Sequence, residues 1–201
     1  WAGLSNFQNL FRNPFFWSSL RNNLQFAFFN VLIGVFLGLL TALILDRIRS
    51  GKLFFQVTSY LPVILSWIVV AFLVRWFLNP VYGLIEPLLD LIGLGEVQIS
   101  WLADIGALLN VIITLGVWKG YPIAMVLIYA ALQEIPRELK DAAYIDGADE
   151  VRTTVYIVLP LLQPVLAVVI SLALINSFRV FEPFYVLGAT GGQQANPLLD
   201  V

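Results

Sequence analysis

Asp141-Ala142-Ala143-Tyr144-Ile145-Asp146-Gly147, with Ile157-Val158-Leu159-Pro160 shortly after it, is the one clearly charged insert between two long apolar runs, 105–131 and 155–178. Read together, the insert and its flanks decide the fold. The runs are membrane spans and the insert is a short helix with a hard stop. Pro136 suits the first helical position, where its missing N–H would have no partner. Leu139, Ala142, Ala143 and Asp146 fall at i, i+3, i+4 and i+7, so they share one face. The two methyl groups at the middle of that face let another surface come close. Gly147 accepts positive φ and so can end the helix. A plain connection between spans needs none of this, whereas a loop that docks into a groove on a partner does.

Composition supports the membrane reading. The chain has 201 residues, 60% hydrophobic and 12% charged, with mean hydropathy +0.87. Soluble domains run near 45–50% apolar and about 25% charged. The net charge of −2 says little, because the placement of charge matters more in a membrane than its total. Cys and His are both absent, which removes disulfides, thiolate or imidazole metal sites and the common nucleophilic triads. Residue 1 is Trp and the only Met is Met125, so the sequence is expected to be the middle of a longer chain.

Four segments reach the roughly 20 apolar residues a bilayer requires: 22–45, 53–78, 105–131 and 155–178. The first carries Gly34, Gly38 and Ala42 at four-residue spacing, a small face for close helix contact. The second holds Pro62 and ends at Asn79-Pro80. The third holds Gly116, Gly120 and Pro122, where a kink or break is expected. Pro160 and Pro164 in the first turns of the fourth predict a bent entry. Arg47, Arg49 and Lys52 lie between the first two spans, and Arg137, Lys140 and Arg152 lie in the 132–154 loop. Segment 79–104 has Glu86, Asp90, Glu96 and Asp104 and no Lys or Arg. The positive-inside rule puts the first two loops in the cytoplasm and segment 79–104 outside. Within that outer segment, 84–92 reads as a surface helix ended by Gly93 and Gly95, with Glu86 and Asp90 opposite Leu84, Leu88 and Leu91. Trp1, Phe7, Phe11, Phe15, Phe16, Trp17, Trp76 and Trp101 suit an outer aromatic belt.

No phosphate-binding loop is present. Gly51-Lys52 lacks the upstream Gly and is followed by Leu53, so any ATP hydrolysis belongs to another polypeptide. Asp146, Asp149 and Glu150 read as a charged docking surface rather than an acid–base site. Polar residues inside the spans are the candidates for a solute pathway: Ser66, Trp67, Asn110, Thr114, Lys119, Tyr121, Asn176 and Ser177. Ser66, Asn110, Thr114, Asn176 and Ser177 are residue types more often used in interhelical hydrogen bonds, and for Trp67 and Tyr121 packing and lipid-facing roles are commoner. Lys119 either lines the pathway or sits in a structural pair, since a central Lys costs roughly 2.5–3.5 kcal/mol to insert alone. Arg75, close to the end of its span, reads as snorkelling.

The insert resembles the E-A-A-x-x-x-G-x(9)-I-x-L-P loop of the membrane subunits of binding-protein-dependent ATP-driven importers. Ala142, Ala143, Gly147, Ile157, Leu159 and Pro160 stand where that pattern puts them, and Asp141 replaces the usual Glu with one methylene less. The chain is similar over nearly its whole length to the sugar-permease branch, first-permease type. The carrying stretches are Gly3–Phe7, Leu61–Ser66, Asn79–Ile85, Val117–Pro122 and Leu132–Leu139. Gly191-Gly192-Gln193 departs from a Gly-Gly-Pro common near the last loop. The resemblance implies an all-α polytopic bundle of the type I ABC importer permease kind, a single transmembrane domain with about six spans, of which this chain holds four. It implies a bacterial or archaeal plasma membrane and a heterodimer with a second permease. It also implies two ATPase subunits that bind ATP and Mg, and an external solute-binding protein. Leu139, Asp141, Ala142, Ala143, Asp146, Gly147, Ala148, Ile157, Leu159 and Pro160 then form the ATPase-docking set. The solute implied is a sugar, oligosaccharide or polyol, moved inward by alternating access. No cofactor, metal or nucleic acid is expected on this chain.

Three other readings compete. An ion-gradient transporter, or a permease for a non-sugar solute, is the nearest alternative, and the ion-coupled form predicts acidic groups inside the spans. A membrane-embedded enzyme requires a catalytic cluster at one depth. A bundle without partners leaves the docking helix unexplained.

Overall fold

A computed structural model describes residues 3–48, 50–79, 81–91, 93 and 101–188. Trp1, Arg49, Pro80, Gly95, Glu96 and Gly191-Gly192-Gln193, all invoked above, lie outside the described residues. Among those described, all regular structure is helical: α1 (Ser5–Arg12), α2 (Pro14–Arg47), α3 (Lys52–Ile64), α4 (Trp67–Phe77), α5 (Ile85–Leu91), α6 (Ile105–Glu134), α7 (Arg137–Ile145), α8 (Glu150–Thr153), a π turn (Thr154–Val158), α9 (Leu159–Arg179) and α10 (Glu182–Gly188). Three helical stretches are long and apolar enough to cross a membrane, four if α3 and α4 count as one broken span.

α2 begins earlier than its apolar run suggests. Pro14 opens it, and the Asn13 Oδ1 accepts from the Phe15 N–H at 2.9 Å, so a side-chain cap and a first-position proline start the helix outside the hydrophobic segment. Phe28, Leu32 and Phe36 stand exposed along it, as a helix in lipid solvent requires.

The second segment is not one helix. α3 stops at Ile64, Ser66 is extended (φ −61°, ψ 140°), and α4 starts at Trp67. The last four carbonyls of a helix have no N–H one turn ahead. Pro62 belongs to that group, and its carbonyl accepts from the Lys119 Nζ at 2.6 Å. Lys119 is 7% exposed, so this is a buried cation at a helix C-terminus, where the dipole favours positive charge. Lys119 thus satisfies a carbonyl that the break exposes.

α6 runs as one continuous helix through Gly116, Gly120 and Pro122, where a kink or break was expected, so there is no break. α2 packs closely against it there. A Cβ placed on Gly38 of α2 would lie 2.5 Å from the Ala124 Cβ, 3.0 Å from the Met125 N and 3.1 Å from the Tyr121 O. Gly34 has open space for the same atom, so only part of the Gly34/Gly38/Ala42 face forms the crossing.

The fourth segment enters through a wide turn. Leu159 N–H donates to the Thr154 carbonyl, five residues back, and Pro160, with no N–H, follows at once. After Arg179 the helix breaks and α10 follows, an element the apolar pattern did not reveal. α5 corresponds to the surface helix expected over 84–92 and is followed by Gly93 at φ 78°.

The described chain forms two compact units, Trp1–Phe28 with Leu65–Leu115 and Ser177–Val201, and Phe29–Ile64 with Gly116–Asn176. In the first, α10 packs on α4, and Phe184 meets Phe26 edge-on at 5.2 Å. In the second, Ala42, Ala124, Met125, Ile128, Leu132, Val158, Leu162 and Val169 make one buried cluster joining α2, α6, the π turn and α9.

Two stability outcomes follow. Gly38→Ala should lower the melting temperature of the detergent-purified protein, because overpacking by a methyl costs about 1–3 kcal/mol. Gly34→Ala should leave it unchanged or raise it, since Ala outranks Gly in a helix by about 1 kcal/mol. Equal melting of the two variants would refute the close crossing at Gly38. Lys119→Met should destabilise by about 1.5–3 kcal/mol, the worth of a hydrogen bond to a charged group. A thermal melt matching the parent would show that the Pro62 carbonyl does not depend on it.

Candidate functional site

The 132–154 loop is built from three local devices. α6 ends at Glu134, and Pro136, in extended backbone with ψ 134°, serves as the N-cap of α7 rather than as its first residue, one position earlier than expected. At the other end, Ala148 N–H donates to the Ala143 carbonyl at 2.9 Å and Gly147 N–H to the Tyr144 carbonyl at 3.1 Å. That bond pair, with Gly147 at φ 83°, is a Schellman stop. Asp149 then caps α8, its Oδ1 accepting from the Arg152 N–H at 2.7 Å.

The face read from the spacing divides in two. Ala143 is 7% exposed and packs into its own chain, while Leu139, Ala142 and Asp146 face outward. A second exposed stripe is Glu138, Asp141, Ala142 and Ile145, again at i, i+3, i+4 and i+7. Ile145 is 86% exposed, the largest apolar side chain on this surface, and sequence reasoning missed it. Its signal was present: an isoleucine two residues before a helix-ending glycine, outside any apolar run. Ile157 lies in the π turn, Leu159 opens α9 and Pro160 is exposed on it. Val158 between them is the residue that enters the core.

The base of the loop is charged. Asp46, one residue before the end of α2, accepts from the Gln133 Nε2 at 2.8 Å through Oδ1 and from the Lys140 Nζ at 3.0 Å through Oδ2. Arg47 pairs with Glu150 at 2.9 Å. Lys52 reaches the Asp46 carbonyl at 3.5 Å and the Tyr129 hydroxyl at 3.3 Å.

The pathway candidates are spread over both units. In the first, Ser66 sits at the break before α4, with Trp67 beginning that helix, Asn110 and Thr114 are exposed on α6, and Ser177 is buried. The Thr114 hydroxyl donates to its own helix, to the Asn110 carbonyl at 2.8 Å. Asn110 also lines a cavity of about 540 Å³ with Trp17 and with Arg21, Asn22 and Gln25, three polar side chains that sequence reasoning passed over. In the second unit, Lys119 is committed to Pro62, Tyr121 is half-buried and Asn176 is exposed.

Comparison with known proteins agrees with this architecture. The chain is 32% identical over 199 residues to the probable ABC transporter permease protein YurN of Bacillus subtilis, covering 98% of this chain and 68% of that protein. It is 35% identical over 191 residues to the trehalose/maltose transport system permease protein MalF of Thermococcus litoralis, covering 95% and 63%. A crystal structure of a bacterial ABC transporter involved in the import of the acidic polysaccharide alginate superposes with TM-score 0.86 at 28% identity, covering 95% of this chain and 67% of that one. The chain therefore spans about two thirds of the length of these relatives. Residues 30–196 match the family described as binding-protein-dependent transport system inner membrane component, and the chain belongs to that family.

Proposed function

We propose that this chain is a permease subunit of an ATP-driven importer that moves a sugar, oligosaccharide or polyol inward by alternating access. The observation that carries this reading is α7: a short helix, stopped at Gly147, outside the long apolar helices, with Ala142 and Ile145 exposed and acidic neighbours around them. Family membership supports the dependence on a binding protein, and the names of the relatives support the sugar class.

In this reading α7 faces the cytoplasm and docks in a groove of an ATPase subunit, which carries ATP and Mg. A second permease completes the pathway, and an external binding protein delivers the solute. Closure of the ATPase pair moves α7, and the long helices switch between two packed arrangements. The ion-coupled alternative needs acidic groups within the spans. The carboxylates on α2, α6 and α9 are Asp46, next to the end of α2, and Glu134, the last residue of α6, so the described spans offer an ion no acidic site at depth.

Ala142 is the position that tests docking. Ala143 is buried in its own chain, so a bulky side chain there would confound folding with docking. Ala142→Trp in the full-length protein should insert normally yet lose its ATPase. A central interface residue is worth about 2 kcal/mol or more, roughly 30-fold in affinity. The check is affinity purification from native membrane in mild detergent, scored for a co-purifying second permease and P-loop ATPase. Wild-type recovery without any ATPase, even after crosslinking through residue 142, would overturn the proposal.

A further inference from the structure

We infer that Asp46 is a positioning residue, the point through which a displacement of α7 is passed to the long helix α2. This rests on the proposed function, since it assigns the route by which the docking helix acts on a span.

Three observations carry it. Both carboxylate oxygens of Asp46 are engaged by different elements, Oδ1 by Gln133 in the last turn of α6 and Oδ2 by Lys140 of α7. Its backbone carbonyl, at the C-terminal end of α2, faces the Lys52 ammonium from the first residue of α3. Four helices therefore converge on one residue, and none of these partners is nearer in sequence than six positions. The second observation is how lightly α7 is otherwise held. Ile135 and Pro136 join it to α6, the 146–149 turn joins it to α8, and Ala143 is its one buried side chain. Lys140 is thus the side chain that fixes the orientation of α7 about its own axis, and hence the direction in which Ala142 and Ile145 point. The third is the length of the lever: α2 has 34 residues, about 50 Å at 1.5 Å per residue, and Asp46 is one residue from its end.

Burial separates this pair from its neighbour. Lys140 and Asp46 are 24% and 26% exposed, and Asp46 has a further polar partner in Gln133, while Arg47 and Glu150 are 53% and 55% exposed. Exposed pairs contribute little and are screened by salt, so the Asp46 node, not the Arg47–Glu150 pair, holds the helix.

The test uses the full-length protein assembled with its second permease and ATPase subunits in lipid nanodiscs. Ser18→Cys near the start of α2, on the wall of the 540 Å³ cavity, supplies a thiol in a stretch that has none. Its labelling rate with a water-soluble maleimide is measured nucleotide-free and after trapping with ATP and vanadate. With Asp46 and Lys140 intact, trapping should change the rate several-fold. Asp46→Lys and Lys140→Asp should each abolish that change while the ATPase stays bound, and the double charge swap should restore it. Single variants that keep the nucleotide response, or a double variant that behaves like the singles, would overturn the role of Asp46 and leave the importer reading standing. A wild-type assembly that holds no ATPase would overturn both together.

Discussion

In a bilayer, a backbone carbonyl without a partner has no water to turn to, and each such group costs several kcal/mol. That constraint organises this chain. α2 and α6 meet it by running unbroken for 34 and 30 residues. The segment between them does not, because α3 ends at Ile64 and leaves carbonyls open. Lys119 is placed to answer that, and the two anomalies explain one another. A buried cation on an apolar helix and a break in a neighbouring helix are each unfavourable alone. Together they form a charge-assisted hydrogen bond at 2.6 Å. A lysine read from sequence as lining a pathway or forming a structural pair is used here as a helix cap.

The same economy governs close packing. Gly38 brings α2 against α6 at the turn that contains Pro122, and α6 is continuous through that proline. A proline frees one carbonyl and removes one N–H, but a transmembrane helix packed on one side against a neighbour tolerates it. Pro160 has a different outcome, at the join between the charged loop and α9. There the chain widens into a π turn, and Val158 is brought into the cluster with Leu132 and Leu162. Two prolines with the same chemistry thus lie in a continuous helix in one place and just after a wide turn in the other.

The helical class was legible because it rests on local signals. Long apolar runs name helices, and Gly147 named a stop that the structure shows at φ 83°. What was not legible depends on distance along the chain. Lys119 and Pro62 are 57 residues apart, and Lys140 and Asp46 are 94 apart. No window of periodicity joins them. α10 escaped for a related reason: seven residues with glutamate and proline at the front look like a span end until Phe184 finds Phe26. The face of α7 was misread at Ala143 because helical spacing tells which residues lie together, not which side turns toward the chain. Ile145 was passed over on the same ground.

The 132–154 loop shows why local rigidity has to come with a fixed attachment. The Schellman stop at Gly147 and the Asp149 cap, worth on the order of 1 kcal/mol, make the ends of α7 and α8 well defined, and Pro136 sets where α7 begins. A defined helix joined only by short turns could still roll about its axis and present Ile145 in any direction. The partly buried pair at Asp46 removes that freedom by holding one side of α7 against α2, opposite the exposed stripe of Glu138, Asp141, Ala142 and Ile145. In the proposed docking role, orientation comes before affinity, because a patch this small would bind only if presented already turned toward its partner.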